Sequence, residues 1–271
     1  MNGLFAGTVM RRGVCEPILT SCGILGGAMV LLASQQLAPQ GVLRAGVNLA
    51  NTLLVSGVRA TGEPWGVAPD LAHWIAEQLS VPCVCVPFAS PSDLLAAADD
   101  DVWDICLIGV DSRRSNTISF TGPYAETEAT YLVRRDSGVR RISEVDRPGV
   151  RIAAADGSAY ALWLSRHLTH GILVPRKSHE SAHQAFMIGE ADALAGLRPN
   201  LSRSMLMLPD SRVLDGGFLA IQQAVGTRKQ NYAGIEFLRT TIHEACSRGV
   251  VADAIAKHRI GGLRVVSAMA D

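Results

Sequence analysis

Apolar positions recur along the chain with two alternating periods. Val42–Val47 (VLRAGV) alternates apolar and polar residues, which predicts a strand. Leu71, Ile75 and Leu79 then recur at helical spacing after Pro69 and Asp70, residue types suited to a helix start. Val84–Phe88 predicts a second strand, Ser92–Ala98 a helix and Trp103–Ile108 a third strand. Strand, helix, strand, helix, strand implies a parallel sheet joined by crossover helices.

The rhythm then restarts. Thr130–Arg135 predicts a strand leading away from the first unit. Strands at Val150–Ala154, Ile172–Val174 and Ala191–Leu197 alternate with helices at Ala159–His167 and Ser181–Ile188. Ala220–Gly226 predicts a strand returning to the first unit, followed by helices at Ala233–Ser247 and Val250–His258. Two successive α/β units, each with its own sheet, predict two lobes: residues 39–130 with 225–271, and residues 131–224.

The first 38 residues follow neither rhythm. Arg11 and Arg12 precede the apolar stretch Gly23–Ala33 and polar Ser34-Gln35-Gln36, which resembles a signal peptide but is short for a membrane span. Leu19-Thr20-Ser21-Cys22 resembles a lipoprotein box, although Glu16 and Pro17 interrupt the apolar run ahead of it. A start at Met29 is a third reading. An exported or N-terminally tethered protein is the expectation.

Bulk composition narrows the partners. Of 271 residues, Lys plus Arg and Asp plus Glu each number 25, so no basic field exists to attract a nucleic acid. A small molecule is the expected partner. Six cysteines form no CxxC pair, so a zinc ribbon is unsupported. Cys83 and Cys85 share one face of their strand and read as buried thiols, as does Cys106.

The candidate chemistry gathers in Leu107–Tyr124 (LIGVDSRRSNTISFTGPY). Arg114 lies just beyond a strand end, where α/β sheets bind ligands, and its planar fork of donors matches a carboxylate. Gly157-Ser158-Ala159 opens a helix whose N–H groups and dipole favour an anion. Asn48 and Asn51 occupy the loop after the first strand, where they serve either a ligand or a turn.

These segments resemble a known family in order. GVLRAGVN (Gly41–Asn48), GVAPDLAHWIAEQL (Gly66–Leu79), WDICLIGVDSRRSNTISFTGPY (Trp103–Tyr124), GVRIAAADGSAYALWL (Gly149–Leu164) and GEADALAG (Gly189–Gly196) are similar to type II periplasmic binding proteins, specifically solute-binding protein family 3. The resemblance runs from about Gly41 to about Arg259 and implies an α/β fold of two lobes. Each lobe would carry a mostly parallel sheet with flanking helices, joined by crossings at Ala129–Asp136 and Leu219–Thr227. It further implies a periplasmic, monomeric substrate-binding component of an ABC transporter, closing like a hinge on an amino acid or organic acid and delivering it to a membrane permease. No cofactor and no catalytic residue is implied. Arg114 aligns with the arginine that grips the ligand carboxylate.

Departures from the pattern bear on the ligand. Gly109 stands where Ser or Thr is usual, and Asp111 where Thr is usual. Leu197-Arg198 replaces the acidic residue that holds an α-ammonium, so Arg114 and Arg198 together suggest a clamp for a carboxylate or dicarboxylate, with Asp111 as an alternative counter-charge for an ammonium. The ligand-site set is therefore Asn48, Asn51, Gly109, Asp111, Arg114, Ser158 and Arg198.

Two other readings compete. His179-Glu180-Ser181-Ala182-His183 matches the H-E-x-x-H zinc-hydrolase pattern, but Phe186 stands where its extended form needs Gly, and the segment equally suits a packing helix. Some relatives of the fold are dehydratases of cyclic keto acids, for which Asp111 beside Arg114 would be the acid, and others are ligand-sensing modules.

Overall fold

The computed structural model describes residues 21–266, with side chains from residue 27 onward. The basic pair Arg11-Arg12 and the features at Cys15–Thr20 lie outside the described residues. Along the chain, α1 (Ser21–Leu37) leads to β1 (Leu43–Asn48). The hairpin β2 (Gly57–Val58) and β3 (Pro64–Trp65) precedes α2 (Val67–Leu79), β4 (Cys83–Phe88), α3 (Pro91–Ala96) and β5 (Ile105–Gly109). A 3-10 turn at Arg114–Asn116 and β6 (Ile118–Phe120) complete the first unit, and β7 (Ala125–Arg134) crosses to the second. That unit runs β8 (Arg151–Ala155), α4 (Ala159–His167), β9 (Ile172–Arg176), α5 (His179–Met187), β10 (Ala193–Leu197), α6 (Arg198–Met207) and β11 (Ser211–Val213). β12 (Leu219–Arg228) crosses back to α7 (Tyr232–Ser247), α8 (Val250–Lys257) and β13 (Leu263–Val265).

Strand order is β4-β1-β5-β12-β7-β10-β8-β9. β1 is parallel to β4 and β5, and β8 is parallel to β9 and β10, as crossover connections require. The two α/β units do not hold separate sheets. The crossing strands pair with each other antiparallel over Ala125–Ala129 and Leu219–Gln223, so one curled sheet runs through both lobes. β7 turns to β10 at Ala129, and β12 turns to β5 at Gln223. Backbone hydrogen bonding thus continues across the hinge while each lobe keeps its own core.

The core of lobe 1 gathers Leu43, Ala45 and Val47 of β1, Leu71, Ile75 and Leu79 of α2, and Leu238 and Ile242 of α7. Tyr124 is fully buried there. Lobe 2 packs Tyr131 and Val133 of β7 and Ala193 and Ala195 of β10 against Tyr160 and Leu164 of α4. On the other face, Phe186 of α5 and Leu201 of α6 cover Leu132 and Leu194. Asp70, in the first turn of α2, ties that helix to α8 by accepting from Lys257 (2.7 Å) and pairing with His258 (2.8 Å).

Helix α1 overlaps the segment read as a leader, and its last turn belongs to lobe 1. Ala33 and Leu37 are fully buried in that lobe's core. Gln36 Oε1 accepts from the Gly234 N–H at 2.9 Å. A side chain at Gly234 would lie 2.7 Å from Leu37 Cδ2, so the glycine lets α1 approach α7 closely. No helix among the described residues is long and apolar enough to cross a membrane.

Candidate ligand-binding site

A cavity of about 530 Å³ lies between the lobes at the carboxyl ends of the strands, where open α/β sheets place their ligands. From lobe 1, Asn48 ends β1, Asn51 lies in the loop after it, and Gly109 ends β5. From lobe 2, Ser158 opens α4 and Ser178 opens α5. Two helix N-termini therefore converge on the space and favour negative charge within it.

Arg114 lines this cavity and is only 3% exposed. Its turn follows β5, and the side chain folds back so that Nη1 donates to the Gly109 carbonyl. Nη2 donates across the cleft to the Gly157 carbonyl of lobe 2 at 2.7 Å. Nε has no partner. Among the described residues no carboxylate forms an ion pair with this guanidinium, and burial lowers its pKa, partly offset by the more distant Asp111. A buried cation without a counter-ion is costly. Of its five N–H donors, two are engaged by these carbonyls.

Asn48 Oδ1 accepts from the Ala50 N–H at 3.0 Å, and Asn51 Oδ1 from the Leu53 N–H at 3.2 Å. Both side chains shape the loop through these turns while bordering the cavity. Ser158 caps α4, accepting from the Ala161 N–H at 3.2 Å and donating to the Ala155 carbonyl at 2.6 Å. At Gly109 a Cβ would lie 3.2 Å from Ile221 Cγ2, so the missing side chain lets the crossing strand close over the site.

Two residues of the expected set lie elsewhere. Asp111 does not border the cavity. It accepts from Arg166 Nη2 of α4 at 2.6 Å and from the Arg113 N–H at 2.9 Å, forming a bridge between lobes. Arg198 does not border the cavity either, pairing with Glu128 and donating to the Leu214 (3.1 Å) and Gly216 (2.6 Å) carbonyls. The two-arginine clamp is therefore not assembled. Arg198 starts α6, a helix missing from the expected elements, and its side chain turns toward the acidic residue on β7.

Residues outside the expected set complete the lining. Asp156 and Lys177 directly follow β8 and β9, so the strand-end rule applied to every strand would have found them. His179 and Glu180 begin α5 and face the cavity, with His179 Nδ1 3.0 Å from the Tyr160 hydroxyl. Burial lowers the His179 pKa. Hydrogen bonds from Ser178 and its own N–H hold the Glu180 carboxyl below the usual range. Among the described residues no third metal-ligating side chain joins His179 and His183. The H-E-x-x-H segment serves as the start of α5, capped by Ser178 and packed through Ala182, Ala185 and Phe186.

Comparison with known proteins settles the family. The sequence profile of the bacterial extracellular solute-binding proteins, family 3, matches residues 49–259. The chain belongs to this family. Its role is that of a substrate-binding component for ABC-type uptake, with a small-molecule ligand and a membrane permease as partners. The family is mainly non-enzymatic and acts outside the cytoplasmic membrane. No curated protein sequence matches the chain.

Solved structures agree on the fold. A mutant of ArgBP from T. maritima is 20% identical, with a TM-score of 0.69 over 84% of this chain and 99% of its own. An ancestral amino acid-binding protein, a precursor of cyclohexadienyl dehydratase, is 19% identical, with a TM-score of 0.67 over 84% and 98%. A histidine kinase sensor domain is 16% identical, with a TM-score of 0.70 over 83% and 98%.

Proposed function

We propose that this family member captures a small amino acid or similar amino-carboxylate, held by its carboxylate on Arg114 and released without turnover. The observation that carries the reading is a guanidinium 3% exposed, facing the cavity, with no ion pair among the described residues. A ligand carboxylate would supply the missing counter-charge while the N-terminus of α4 adds N–H donors beside it.

The acidic residue absent after β10 has counterparts bordering the cavity. Asp156 and Glu180 line its lobe 2 wall and offer carboxylates to a cationic group. Lys177 and Arg203 lie on the same lining, so the site also tolerates a ligand with a second acidic group. One binding component of similar fold, from Wolinella succinogenes, 19% identical, is complexed with lysine, with a TM-score of 0.69 over 80% of this chain and 95% of its own.

We further propose that the protein acts as a periplasmic monomer. A thermal-shift screen against amino acids and simple mono- and dicarboxylic acids tests the ligand class, because a ligand of the native form raises its apparent stability. Stabilisation by one or more amino acids is expected. Stabilisation by acids lacking an amino group alone would replace the reading with an organic-acid binder, and consumption of the ligand would replace it with an enzyme.

A further inference from the structure

A second cluster of chemistry-bearing side chains lies on the outer side of lobe 1. Cys83 and Cys85 share one face of β4, the edge strand of the sheet, and His73 projects from α2 beside them. The two sulfurs and an imidazole nitrogen all lie within 4.8 Å of one another. Glu63, from the turn joining β2 to β3, places Oε1 3.7 Å from His73 Nε2. Two segments of the chain thus deliver two thiols and one imidazole to one spot, and a third places a carboxylate beside the imidazole.

We propose that Cys83, Cys85 and His73 bind a zinc ion, with Glu63 or a water as the fourth ligand. Sulfur, nitrogen and carboxylate oxygen are the donors zinc takes in tetrahedral sites. A tetrahedral ion with sulfur at about 2.3 Å and nitrogen at about 2.0 Å holds its ligand atoms roughly 3.5–3.8 Å apart, so shifts of about 1 Å complete the set. On binding, each thiol releases its proton to solvent, and the imidazole coordinates through a neutral nitrogen. Two thiolates then balance the dipositive ion.

Strand geometry favours a bridging ion over a direct sulfur–sulfur bond. Residues two apart on a strand are separated by about 6.6 Å, and their side chains project in parallel. A disulfide needs its Cβ atoms within roughly 3.5–4.5 Å, which an extended strand does not provide. An ion between the sulfurs spans that gap.

The site is distinct from the solute cavity. Cys83 begins β4, whereas Ala89 and Ser90, which border the cavity, follow its far end. At about 3.3 Å per residue, Ala89 lies roughly 13 Å from Cys85 and roughly 20 Å from Cys83. A zinc here would clamp α2, the β2–β3 turn and the exposed edge of the sheet.

Cobalt and zinc titrations of the full chain, purified with its thiols reduced, test the proposal. One zinc per chain is expected, removable by a chromophoric chelator, and cobalt should give thiolate charge-transfer and tetrahedral visible bands. C83S/C85S should abolish those bands. His73 is partly exposed, so H73A should keep the circular dichroism of the parent while weakening zinc by ~10-fold or more. Substoichiometric zinc despite titratable thiols would overturn the proposal, as would zinc affinity unchanged in both variants.

Discussion

Arg166 of lobe 2 donates to Asp111 of lobe 1 at 2.6 Å, linking the lobes beside the solute cavity. The Asp111 side chain is 4% exposed and that of Arg166 30%, so the pair is screened less than a surface ion pair. Thr52 Oγ1 adds another bridge by donating to Asn200 Oδ1 at 3.2 Å. Both contacts span the two lobes, so parting of the lobes would break them. Arg166→Ala should therefore favour opening, with a larger radius of gyration by small-angle scattering. A double-mutant cycle with Asp111→Asn, read on ligand affinity, should give a coupling of about 1 kcal/mol.

Close approach of the lobes also depends on Gly157, which adopts φ +66°. A Cβ at this position would overlap Ser92 Oγ of the opposite lobe. Gly157→Ala should weaken ligand binding while lobe 2 keeps its fold. Ser92→Ala, which removes the clashing oxygen, should restore part of the loss. Calorimetric titration of the single and double variants checks both directions.

Two groups set the pH dependence in different windows. Burial raises the Asp111 pKa, but hydrogen bonds from Arg166 and the Arg113 N–H outweigh it, and the net shift is downward. A carboxyl held below its unfolded value contributes stability above that value, near 3.9, and loses it as pH falls through the folded one. His179 is also lowered, from 6.5, by burial. Its contribution is present above the unfolded value and is lost as pH drops below it. Melting temperature should therefore decline as pH drops below about 6.5 in the parent, less so in His179→Gln, and the Asp111 contribution should disappear only below about pH 4.

Helix α1 offers a test of where the folded unit begins. Leu37 is fully buried against α7, so Leu37→Ala should cost about 2–5 kcal/mol in chemical denaturation. Removing residues 1–37 should lower the melting temperature further, because Ala33 and the Gln36 bonds leave with it.

Much of this architecture was legible from periodicity. α4 spans the predicted Ala159–His167, and the crossing strands lie within a few residues of their predicted positions. Local pattern does not fix side-chain partners, however. Asp111 and Arg198 sit at positions suggestive of a ligand, yet distant residues claim them: Arg166 is 55 positions from Asp111, and Glu128 is 70 positions from Arg198. α6 went unpredicted, although Pro199 suits the first turn of a helix. The apolar run Gly23–Ala33 carried the composition of a leader and gave no sign that the adjoining turn would pack on α7.

The central claim is that Arg114 supplies the charge that holds the ligand. Calorimetry with the amino acid that most stabilises the parent, repeated on Arg114→Ala, tests it most directly. Loss of a charge-assisted hydrogen-bonding partner predicts ~10–100-fold weaker binding with an unchanged fold by circular dichroism. Affinity equal to the parent's in a folded Arg114→Ala protein would contradict the account.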